Sequence, residues 1–123
     1  MSSFLIASGG IFCLLGALHA IFTGVGFLHP VNPDLITGMR STGLRLSRNR
    51  TNMWDAWLGF NFSHAVGLIL FGVICTQTAA RSTMPLLVAV AGVYLLLALR
   101  FWFYAPAIAI AIATSCLLFA WLL

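Results

Sequence analysis

Apolar residues run in four long blocks along the chain, and charged residues fall only between them or at their edges. The charges are Asp34, Arg40, Arg45, Arg48, Arg50, Asp55, Arg81 and Arg100. They leave uncharged stretches at 1–33, 56–80, 82–99 and 101–123. A bilayer core about 30 Å thick takes about 20 apolar helical residues, so each stretch predicts a membrane-crossing helix, with Arg100 inside the end of the third. The expected spans are 4–28, 54–76, 84–104 and 107–123, with a basic loop over 30–53. Short connections near 77–83 and 105–106 would make the last three spans an up-down series. Pro85 and Pro106 stand near helix starts, where a missing N–H costs little. The pattern therefore predicts an all-α integral membrane four-helix bundle in a single domain, with no internal repeat.

Composition supports this and removes other classes. The 123 residues are 62% hydrophobic and 7% charged, whereas a soluble domain carries roughly a quarter of its residues charged. The net charge of +4 comes from localised arginines without interleaved stacking aromatics, so it is no nucleic-acid signal. The first span reads as a retained helix and not a cleaved signal: it lacks a basic start, and its apolar run is long. Cys13, Cys75 and Cys116 share no motif spacing and suit small buried apolar roles. Asn49-Arg50-Thr51 matches a glycosylation sequon, which is discounted because the basic loop should be cytoplasmic.

Orientation follows from the arginines. Arg40, Arg45, Arg48, Arg50 and Arg100 fall on one side of the membrane and Arg81 on the other, so the positive-inside rule places 30–53 in the cytoplasm and both termini on the non-cytoplasmic side. Trp54, Trp57, Trp102 and Tyr104 at the inner interface and Trp121 near the outer one agree with an aromatic belt. Small residues at Gly16, Ala20 and Gly24, four apart, predict that the first and second spans touch along that stripe. Gly59, Gly67 and Gly72 in the second span, and Ala105, Ala109 and Ala113 in the fourth, read as ordinary bundle packing.

Polar side chains inside hydrocarbon are costly and each one calls for a reason. On the second span Trp57, Asn61, His64, Leu68 and Phe71 share one helix face. The first span adds His19 and Thr23, with His19 expected to turn inward, and the third adds Arg100. At the helical rise His19, Asn61, His64 and Arg100 fall within one slab in the basic-loop half of the membrane. A purely structural reading has Asn and His bonding neighbouring helices and Arg100 snorkelling or pairing with Asp55. His29, beside Pro30, reads as an interfacial residue.

A ligand reading makes His19, Asn61, His64, Arg100 and Trp57 a binding site for the polar head of a quinone or lipid. A less favoured version makes His19 and His64 axial haem ligands, with the loop arginines receiving propionates. Arg40, Arg45, Arg48 and Arg50 are candidate contacts for lipid headgroups. No other metal site is expected, and the cofactor is left open.

The segment 53–67, Met-Trp-Asp-Ala-Trp-Leu-Gly-Phe-Asn-Phe-Ser-His-Ala-Val-Gly, followed by Phe71-Gly72, resembles a family of small uncharacterised bacterial four-helix membrane proteins sharing a W-x-x-W-x-G-F-N-x-S-H segment. Gly16-Ala17-Leu18-His19 matches its first helix. The resemblance implies a multi-pass protein of the bacterial inner membrane, and it brings no catalytic residues. The expected function is a membrane-embedded binding module for a small hydrophobic or redox ligand in the inner half of the bilayer. The alternative is a non-catalytic accessory subunit packing against a larger membrane complex. Expected partners are membrane lipids, with other membrane subunits or further copies of the chain as candidates. An enzyme is disfavoured because no nucleophile, base and orienter occur together. Transport is disfavoured too: no deep acidic residue and no second repeat half are present.

Overall fold

A computed structural model describes residues 2–47, 50–78 and 80–123. Arg48 and the sequon's Asn49 lie outside the described residues. The helices are α1 (Ser2–Val25), α2 (Pro33–Ser41), α3 (Met53–Gln77), α4 (Met84–Phe101) and α5 (Tyr104–Leu122), with a 3-10 turn at Arg81–Thr83. Four of these helices are long and apolar enough to cross a membrane, as befits a multi-pass membrane protein. Among the described residues there is no strand, only an isolated bridge between Gly43 and Asn52 that pinches off the tip of the loop.

Helix ends follow local chemistry. Asn52 caps α3 by accepting from the Asp55 N–H at 2.8 Å, and its amide donates back to the Asp55 carboxylate at 3.0 Å. Asp55 is thereby committed to the cap, and no ion pair with Arg100 forms. The loop over 30–53 is not plain loop, because it contains α2, nine residues capped by Asn32 with Pro33 in its first turn. Between α4 and α5 only Trp102 and Phe103 leave helical geometry, both extended. Pro106 then falls in the first turn of α5, where its missing N–H would have had no intrahelical partner. The fourth span accordingly begins before that proline and not after it.

The C-terminus of α1 is closed by side chains. Gly26 takes φ +96°, a left-handed conformation that costs glycine little. The chain then turns so that His29 Nε2–H donates to the Thr23 carbonyl at 2.9 Å. The Thr23 hydroxyl donates to the His19 carbonyl at 2.7 Å.

Packing does not follow chain order. α1 lies between α3 and α5, and α4 packs on α5. The last three long helices alternate in direction, but α3 and α4, though joined by a short turn, do not pack closely along their backbones. The α1–α3 seam is made by glycine. A Cβ on Gly16 would lie 2.7 Å from the Ala65 carbonyl oxygen, and Gly9 and Gly72 face each other in the same way. The predicted stripe is therefore corrected. Gly16 belongs to it, but Gly24 is exposed with nothing near it, and the contact continues towards Gly9 instead. Gly9, Cys13 and Gly16 are spaced four and three apart, the repeat that keeps one seam facing a partner helix. Cys13 donates to the Ile69 carbonyl at 3.5 Å along the same seam. On α5 the buried face is Ala107, Ile110, Ala113, Leu117 and Ala120, and Ala105 is exposed.

Candidate functional site

Below the seam, towards the basic loop, α1 and α3 hold polar side chains between them. The Asn61 amide donates to the Trp57 carbonyl at 2.8 Å, which leaves its Oδ1 to accept from His19 Nε2–H at 3.0 Å. Such a network assigns the tautomer: His19 carries its proton on Nε2 and keeps Nδ1 as an acceptor. His64 lies one turn along α3. Its ring meets His19 edge to face at 4.9 Å, and His64 has no hydrogen-bond partner among the described residues.

These groups line a cavity of about 390 Å³. Its floor includes Leu15 of α1 and Ile110 of α5; its sides are Phe60, Asn61, His64 and Leu68 of α3 and Tyr94, Leu97, Ala98 and Phe101 of α4. Trp102 closes the loop end, its ring 5.4 Å from His19 and nearly parallel to His64. The mouth lies between α3 and α4, where Phe60, Leu97 and Phe101 are exposed. A smaller cavity of about 190 Å³, lined by Leu18, Phe22 and Phe103, lies on the far side of His19 and Trp102, which form the partition. Beneath the main cavity Phe12, Phe71 and Tyr94 pack together, Phe12 meeting Phe71 edge to face at 4.8 Å.

The structure thus brings His19, Asn61 and His64 together and leaves Arg100 and Trp57 elsewhere. Arg100 is exposed, with its guanidinium 5.1 Å from the Phe101 ring. The cavity face of α4 runs Tyr94, Leu97, Ala98, Phe101, and Arg100 points about a quarter turn off it. In the last turn of α4 its charge also suits the helix's negative end. Trp57 has the right spacing but sits a turn too close to the loop. Its ring stacks on Trp54 at 5.4 Å and meets His29 at 5.8 Å, so only its backbone carbonyl serves the site.

The haem reading also needs correction. Axial imidazoles must face each other across a whole macrocycle. Here the two rings touch edge to face, His19 Nε2 is engaged by Asn61, and the glycine seam closes α1 on α3 just above them. No group of three or more metal-ligating side chains occurs among the described residues. Of the loop arginines, Arg40 lies over the Trp54 ring at 5.3 Å. Arg45 and Arg50 are exposed on the loop.

Sequence reasoning missed Tyr94 and Trp102 as cavity residues. A signal for Tyr94 was present, since it is the one side chain with a polar atom between 84 and 99. Trp102, a belt residue by its position, also forms a wall of the cavity. No protein-family model matches the chain, and no curated protein or solved structure matches it significantly.

Proposed function

We propose that this chain is a membrane-embedded binding module for a small amphipathic molecule that enters the α3–α4 cavity from the bilayer. The observation that carries the reading is the cavity itself. It is mostly apolar, within the size range of small-molecule sites, and has His19, Asn61, His64 and Tyr94 converging in it. Polar groups in hydrocarbon must meet each other, water or a ligand, and His64 has no protein partner among the described residues.

The test is extraction. Protein purified gently from membranes should carry an amphiphile near one per chain, identified by mass spectrometry of the extract. Leu97→Trp, which fills the mouth from an exposed position, should fold and lose it. Equal lipid content in both proteins would sink the reading and favour the accessory-subunit alternative. We place the protein in the bacterial inner membrane with the loop 30–53 cytoplasmic, on the arginine asymmetry. A reporter fused after Leu123 that works only in the cytoplasm would overturn that orientation.

A further inference from the structure

The lining of the main cavity narrows the chemistry of its occupant. No Asp, Glu, Lys or Arg side chain lines it, and Arg100 is turned away beside Phe101. A phosphate or carboxylate there would be unpaired in hydrocarbon, at a cost of several kcal/mol or more. Depth points the same way. His64 is eleven positions into α3, about 16 Å along the helix from its loop-side start, well below the level at which phospholipid headgroups sit. The polar end of the occupant is therefore neutral.

Its hydrogen-bonding complement follows from what the site leaves free. His64 offers one donor and one acceptor. Tyr94, its ring 5.9 Å from that of His64, offers a hydroxyl that has no partner among the described residues. That hydroxyl rests over Gly67, where a Cβ would lie 3.6 Å from it. His19 adds only the acceptor Nδ1, since its Nε2–H is given to Asn61. The surrounding walls, Phe60, Tyr94, Phe101 and Trp102, present flat aromatic surfaces, which favour a planar group.

Building on the amphiphile-binding reading, we propose that the cavity takes the neutral planar head of a quinone or quinol. His64 N–H and Tyr94 O–H donate to its oxygens, and its apolar tail leaves between α3 and α4 past Phe60 and Leu97.

The test uses full-length protein in phosphatidylcholine nanodiscs and a decyl-substituted benzoquinone as probe, read by quenching of tryptophan fluorescence. Trp102 is the one tryptophan in the cavity wall. Quenching should saturate, should lose its saturable part in Trp102→Phe, and should need at least tenfold more probe in His64→Leu. Tyr94→Phe removes a single oxygen and should weaken binding roughly threefold or more; it carries the test if His64→Leu fails to fold. Non-saturating quenching, or saturation indifferent to these substitutions, overturns the proposal. A phosphatidylcholine bearing a nitroxide on its headgroup serves as the second probe. If it saturates Trp102 quenching and the quinone does not, the quinone class falls while amphiphile binding stands. If neither saturates, the quinone class falls, and the fate of the broader reading is decided by the extracted lipid of wild type and Leu97→Trp.

Discussion

α1 and α4 both run antiparallel to α3, yet they meet it in opposite ways. Against α1 the approach is as close as backbones allow, with Gly16 on the Ala65 carbonyl and Gly9 on Gly72. Against α4 the contact is made by side-chain tips, Tyr94 reaching His64 and Phe71 at 5.9 Å each, and a cavity is left between. In lipid, helices gain nothing by hiding apolar surface from each other, so association depends on close fit and hydrogen bonds. α1–α3 has both, through the seam and through the His19–Asn61 bond. α3–α4 has neither along its loop-side half, which is why that pair can stand apart and admit a third body.

Substitutions can break this contrast, and the largest effect belongs to the seam. Gly72→Val would drive two methyl groups into Gly9 and Cys13 and should cost about 3 kcal/mol, seen as a lowered unfolding midpoint in a fixed detergent mixture. An unchanged midpoint would mean that the seam is not the closest contact of the bundle. Asn61→Leu comes next. It strands His19 and frees the Trp57 carbonyl, for a loss of about 1 kcal/mol in the same measurement. His64→Leu should shift the midpoint by less than about 0.5 kcal/mol, because His64 gives no bond to the fold. A loss as large as that of Asn61→Leu would return His64 to a structural role. Gly24→Ala should do least, within about 0.5 kcal/mol, and if it matched the damage of Gly72→Val the predicted stripe would be reinstated over the observed one.

How much of this was readable from the chain differs by level. The spans were legible because length and apolarity alone decide them, to within a few residues. α2 was not, because nine residues with few apolar positions leave no long block, although Asn32-Pro33-Asp34 is a helix-start signature. Gly16 was legible as a close-approach residue, but spacing cannot say whether the seam extends to Gly9 or to Gly24. For the site, depth along a helix can be counted from sequence, and His19, Asn61 and His64 were brought to one level that way. Azimuth around the axis depends on which neighbour each helix has, and that decided against Arg100. Trp57 failed for another reason: it lies level with the last turn of α1, where the His29 ring packs against it.

The order of packing has a consequence for how the protein is made. Translation delivers α1, α3, α4 and then α5, while the bundle places α1 between α3 and α5, with α4 packed on α5 and facing α3 across the cavity. The glycine-sealed pair is complete once α3 has entered the membrane. α4 then arrives before the helix it packs on, and its side chains at Tyr94 are its main hold until α5 follows. Only α5 joins α4 to α1, and it supplies Ile110 to the cavity floor. A chain truncated and released after residue 103 would leave a sealed hairpin with a loosely tethered companion, able to reside in the membrane but with no chamber to fill.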